Sequence, residues 1–187
     1  MRRPVRLATA ALAAASTASL LAGCGVKIDM ARPVCGTTAL STVALVAQSV
    51  RSASLVPCLL TEPTGWKFEK MEVRNSGTEM VLSNDRGGEK ALTVRLDDTC
   101  DTNGAIRVPS DEPDTTRYER VERVTPNYVG TRFYVFNGGC VTYRFELDTE
   151  QSSVLLNEAS LMVGFVPRTA LRQELDSETG GVIENGP

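Results

Sequence analysis

The residues TRFYVFNGGCVTYRFEL, from Thr131 to Leu147, constrain this chain more than any other stretch. Asn137, Gly138 and Gly139 accept the positive φ values that a tight hairpin turn needs. After the turn, Val141, Tyr143, Phe145 and Leu147 fall on one face of a strand, and Thr142, Arg144 and Glu146 fall on the other. Before it, Phe133 and Val135 oppose Tyr134 and Phe136, so both faces of that strand are apolar. Two arrangements satisfy this pattern: a central strand with a helix over its second face, or an aromatic groove open to a partner or a lipid.

The same period of two recurs upstream. Lys67 to Arg74 and Thr78 to Ser83 read as strands joined by Asn75-Ser76-Gly77, and a third runs from Ala91 to Leu96. Residues 118–124 fit a strand or one helical turn. Residues 52–63 read as a connector, and 97–114 as a long polar loop. Spacings of three and four at Leu40, Val43, Ala44, Ala47 and Val50 predict a helix within 37–50, capped by Thr38 or Ser41. Asp148 and Gln151 resemble a capping box for a second helix with the apolar face Leu155, Ala159, Met162 and Phe165, ended by Pro167. Thr169 would cap a last short helix through Leu175. The expected fold is α+β: an antiparallel sheet of about five strands with helices packed on one face, stapled by disulfides.

The N-terminus addresses location. Arg2, Arg3 and Arg6 precede a short Ala-rich apolar run, the pattern of a secretory signal peptide. That run ends in Leu21-Ala22-Gly23-Cys24, which resembles the lipobox of bacterial lipoproteins. The resemblance implies cleavage after Gly23 and a lipid on the Cys24 thiol, holding the protein on the outer face of the cell membrane. The expected organisation is a signal peptide over 1–23, a lipidated N-terminus and tether over 24–36, one globular domain over 37–175, and a disordered tail over 176–187.

Beyond Cys24 the chain has Cys35, Cys58, Cys100 and Cys140, an even number in an exported protein, which predicts two disulfides. Three connectivities are open; the favoured one joins neighbours in chain order, Cys35 with Cys58 and Cys100 with Cys140. The sequence contains no histidine and no CxxC pair, so zinc, other metals and cofactors are not expected. Asp101-Thr102-Asn103-Gly104 brushes against a calcium loop, but Thr99 and Ser110 stand where its first aspartate and closing glutamate belong. Once residues 1–23 are removed, 17 basic residues face 23 acidic ones, a balance that argues against nucleic acid.

Without histidine the commonest general base is gone, leaving the carboxylates Asp97, Asp98 and Asp101 as the basis for a rival reading, a hydrolase of cell-wall sugars. A third reading is a lipid-binding carrier with an apolar cavity between sheet and helix. The favoured one is a non-enzymatic binding or scaffolding module with an envelope protein partner. Its candidate surface is Tyr118, Tyr128, Tyr134, Phe136, Arg132 and Arg144. The stretches VPSDEPDTTRYERV and FNGGCVTYRF resemble segments of uncharacterised actinobacterial envelope proteins, a resemblance that implies a cell type and no activity. Mass spectrometry of the mature protein is expected to find Cys24 diacylated, and a Cys24→Ala chain to leave the membrane fraction; an unmodified N-terminus elsewhere would refute this.

Overall fold

Nearly every stretch read as alternating in the sequence is a strand in the computed structural model, which describes residues 31–36 and 40–180. The signal peptide, Cys24, the Thr38 cap and residues 181–187 lie outside the described residues. In chain order the elements are α1 (Leu40–Ser49), β1 (Leu55–Leu59), β2 (Trp66–Arg74), β3 (Gly77–Asn84), β4 (Gly88–Asp97), β5 (Ile106–Val108), β6 (Thr116–Arg123), β7 (Tyr128–Phe136), β8 (Gly139–Leu147), α2 (Ser152–Met162), β9 (Val163–Pro167) and α3 (Arg168–Thr179). Seven strands form one antiparallel sheet in the order β2-β3-β4-β8-β7-β6-β5, and β1 pairs with β9 in a separate ribbon. The fold is therefore α+β as expected, with more strands than the five anticipated.

The main sheet consists of two meanders, β2-β3-β4 and β5-β6-β7-β8, joined where β4 lies against β8. In that seam Leu92 faces Phe145, Val94 faces Tyr143 and Leu96 faces Val141, and all six side chains are buried. They lie on the same side of the sheet as Met80 and Leu82 of β3 and Tyr134 and Phe136 of β7. The covering layer comes from Val43 and Val46 of α1, Leu155, Ala159 and Met162 of α2, and the β1–β9 ribbon. Phe165 of β9 packs its ring 5.4 Å from Tyr134 and 6.2 Å from Phe136. The aromatic concentration of the hairpin is thus mostly core.

Four expectations are corrected and one open alternative is decided; among the corrections, the polar loop over 97–114 contains β5. The connector over 52–63 contains β1, whose Pro57 is tolerated because the ribbon's outer edge needs no N–H from it. Of the two alternatives open for residues 118–124 the structure has the strand: they lie in or just beyond β6, paired to β7. The helix begun near Gln151 has no side-chain cap and ends at Met162, so Phe165 and Pro167 belong to a strand. The last helix starts after Pro167, also without a side-chain cap, and continues to Thr179, so 176–179 are helical rather than disordered.

Both favoured disulfides are present, with Cα separations of 5.1 Å for Cys35–Cys58 and 5.8 Å for Cys100–Cys140. The first fixes the segment before α1 onto β1: Leu59 N–H donates to the Pro33 carbonyl at 2.7 Å, and Cys35 N–H to the Leu59 carbonyl at 2.9 Å. Residues 33–35 therefore belong to the domain, and the tether is shorter than 24–36. The second fixes the loop leaving β4. To reach β5 at the far edge this loop must cross β8, β7 and β6, and Cys140, opposite Asp97 in the register, holds it on the side away from the helices.

The C-terminal end of α1 is closed by an arginine from the far side of the chain. Arg168 donates from Nε to the Ala53 carbonyl at 2.5 Å and from Nη2 to the carbonyls of Ala47 and Val50 at 2.8 and 2.6 Å. A helix end leaves such carbonyls unpaired, and a cation there also meets the negative end of the helix dipole. Burial, with Arg172 nearby, lowers the proton affinity of Arg168 below the usual arginine range, though it stays charged. Hydrogen bonds to charged groups contribute about 1.5 to 3 kcal/mol, so Arg168→Ala is expected to lower unfolding stability by about 2 to 3 kcal/mol in urea titrations. Arg172→Ala, at an exposed position, should change it by less than about 0.5 kcal/mol.

Candidate functional site

Alternation gives the main sheet a second face, and among the described residues no helix packs on it. Two cross-strand rows define it. One runs Lys70, Val81, Thr93, Arg144, Thr131, Arg120, and the next runs Glu79, Arg95, Thr142, Phe133, Tyr118, Arg107. Guanidinium and hydroxyl groups dominate, as expected of an antiparallel sheet with one solvated face. A groove of about 520 Å³ lies over these rows. It continues into a depression of about 930 Å³ at the end of the sheet, bounded by the β3–β4 turn at Gly87 and Gly88 and by Asn127 and Tyr128 at the start of β7. Lys90, Arg144 and Glu146 line both, so the two adjoin to form one hollow region centred on these side chains.

Arg144 is the centre of this hollow. Its guanidinium is paired with Glu122, donates to Thr131 Oγ1 at 3.2 Å and reaches Glu146 at 3.4 Å. The hydrogen bond from Arg144 holds the Glu122 carboxyl below the usual range, so this acid is ionised near neutral pH and accepts hydrogen bonds. Phe133, the largest apolar side chain on this face, is not offered to solvent. Arg120 lies over its ring at 5.3 Å and donates from Nη1 to the Asn103 carbonyl of the crossing loop at 2.9 Å. The loop therefore roofs one end of the groove and leaves the other open.

The expected binding surface is divided by the sheet. Tyr134 and Phe136 are core residues at 1% and 8% exposure, and Arg132 is buried at 7%, so these three are not available to a partner. Tyr118 and Arg144 face the open side, and half-buried Tyr128 lines the end depression. The carboxylates of the hydrolase reading are also dispersed. Asp97 pairs with Arg95 at 2.9 Å, and Asp98 lines a different depression beside the end of α1. Asp101 lines the groove while accepting the N–H of Asn103 at 3.0 Å in a local turn. The calcium-like stretch is that same turn, with Gly104 at φ 73°.

Where β6 passes beyond the helical cover, a polar cluster seals the rim of the core. Arg132 donates to Glu119 at 2.9 Å and to Ser160 of α2; Arg117 pairs with Glu119 and, at 3.0 Å, with Asp111. Tyr134 donates its hydroxyl proton to Asp111 at 3.0 Å, and burial pushes its pKa up to about 12. The sequence places Arg132 on the candidate binding surface and gives no hint of these partners, which come from β6, loop 109–115 and α2.

Comparison with known protein families, curated proteins and solved structures finds no match to this chain. The architecture itself defines the class: a disulfide-bonded α+β domain whose antiparallel sheet is covered on one side and open on the other. Among its described residues no helix is long and apolar enough to cross a membrane.

The polar rim makes a pH prediction. Desolvation alone would raise the Glu119 carboxyl, but its hydrogen bonds and the charges of Arg117 and Arg132 overcome this and leave it below the usual range. A depressed folded-state pKa contributes stability fully above the unfolded value, about 4.3, and loses it as pH falls through the folded value. Melting temperatures of the native chain and Glu119→Gln, measured from neutral to strongly acidic pH, should differ most near neutrality and converge in acid. A constant gap would contradict this.

Proposed function

We propose that the chain is a lipoprotein anchored through Cys24 on the outer face of the cell membrane, where it acts as a non-enzymatic binding or scaffolding module of the envelope. The observation that carries the binding part is the pair of adjoining open depressions around Arg144 on the sheet face that no described helix covers. Its chemistry suits a polar partner. Thr93, Thr131 and Thr142 supply hydroxyls, the guanidiniums supply fixed forks of donors, and Glu79 and Glu146 supply acceptors. Mixed charge favours an uncharged or zwitterionic protein surface over a polyanion. A lipid carrier has less support, because Leu155, Ala159 and Met162 pack into the space between helices and sheet.

The test is photocrosslinking in intact cells from two positions of the lipidated chain. A photoreactive residue at Thr142, inside the groove, is expected to yield a discrete protein adduct; one at Ser177, exposed on α3, is not. Arg144→Gln should abolish the Thr142 adduct while costing no more than about 1 kcal/mol of stability, the scale of a part-exposed ion pair. The reading fails if no protein is captured from Thr142 and the purified domain instead degrades cell-wall polymer in a manner stopped by Asp97→Asn or Asp101→Asn.

A further inference from the structure

Among the described residues, large apolar side chains stand exposed singly at Leu45 on α1 and in two groups elsewhere. One is the β5–β6 edge, with Ile106, Val121 and Val124. The other is the corner where β1 ends beside α2, with Leu60 at 52%, Leu161 at 65% and Val154 at 45% exposure. At this corner Leu60 N–H donates to the Met162 carbonyl at 2.8 Å, which sets Leu60 beside the last turn of α2. Val154 and Leu161 are two helical turns apart on one side of that helix. Glu158 lies between them, and its carboxylate is already taken by Arg86 at 2.8 and 2.9 Å and by Trp66 Nε1 at 2.8 Å. The corner thus presents apolar side chains around a charge that is already paired.

Leu60 is held outward by the backbone beneath it. A Cβ on Gly164 would come within 2.8 Å of Leu60 Cγ, so the leucine lies directly over a position that carries no side chain. The N-terminal segment reaches the domain at this place as well. Pro33 and Cys35 bond Leu59, and Arg32 pairs with Glu62 at 2.7 Å, bracketing Leu60 from both sides. From Arg32 back to Cys24 there are eight residue steps, at most about 29 Å of extended chain.

We propose that the Leu60–Leu161–Val154 corner is a membrane-contact surface that rests in the interfacial zone of the outer leaflet beside the lipid anchor. This rests on the lipoprotein reading. Of the two groups of exposed apolar side chains this is the one beside the attached N-terminal segment, and so short a leash brings it to the bilayer first. An acyl anchor and a small apolar surface then act as two membrane signals in place of one. Arg32 and Arg86, each paired to a carboxylate at the border of the corner, stand at the height of the lipid headgroups.

The experiment uses the full lipidated chain reconstituted in vesicles of phosphatidylglycerol, phosphatidylethanolamine and cardiolipin that contain a lipid with a diazirine on its acyl chain. After irradiation, adducts are mapped by mass spectrometry. Labelling is expected on peptides bearing Leu60 and residues 154–161 and not on those bearing Ile106, Val121 or Val124. The double variant Leu60→Gln/Leu161→Gln should lose these adducts while keeping its melting temperature and the lipid mass on Cys24. Adducts spread equally over residues 106–124, or no adducts on the corner of a chain whose Cys24 carries lipid, would overturn the contact surface and leave the lipoprotein reading standing. An N-terminal mass without lipid, in a chain that stays off the vesicles, would remove that reading and the contact surface with it.

Discussion

The pairing of β4 with β8 is the interaction on which the remaining architecture depends. Each meander on its own is a local structure with one apolar face, and neither is wide enough to seat three helices and a ribbon. Joined along Leu92–Phe145, Val94–Tyr143 and Leu96–Val141, they form one apolar surface that buries the inner sides of α1, α2 and β9. A slip of one residue in this seam would turn either Thr93 and Arg95 of β4 or Thr142 and Arg144 of β8 into the core. The register that builds the core is therefore also the register that builds the groove.

Strands with a strict period were legible from the sequence because their side chains respond to the sheet alone. The three strands β2 to β4 and the β7–β8 hairpin needed no partner to be recognised, and Thr142, Arg144 and Glu146 were assigned to a face apart from the core. What escaped was set by distant pairing. The β1–β9 ribbon joins residues more than a hundred positions apart, and five residues around Pro57 carry no alternation once buried on both sides. Similarly, β5 has three residues, fewer than a pattern needs. At the site, sequence supplied Arg144 and Tyr118. It misplaced Tyr134, Phe136 and Arg132, because both faces of β7 look apolar and only the path of the crossing loop and the helices decides which one is covered.

The two faces divide the labour of the domain. Helices, ribbon and attached N-terminal segment are all on one side, together with the apolar corner at Leu60. The open hollow is on the other. If the covered side meets the membrane, the groove is turned towards the envelope, where a partner reaches it without displacing any part of the fold. The crossing loop is the exception to this division, since it lies on the open side and limits the groove at Phe133.

The Cys35–Cys58 bridge has a mechanical consequence. If the chain is anchored as proposed, any load on the anchor enters the domain through residues 32–35, which run alongside β1 with few backbone hydrogen bonds and would peel away one bond at a time. The covalent link diverts that load at Cys35 into β1 at Cys58, next to the strand's end, where the ladder to β9 continues back along its whole length and would have to shear as a unit. In an oxidising compartment the attachment point is thus reinforced against tension. In a reducing one the same segment would become the weakest thread in the molecule.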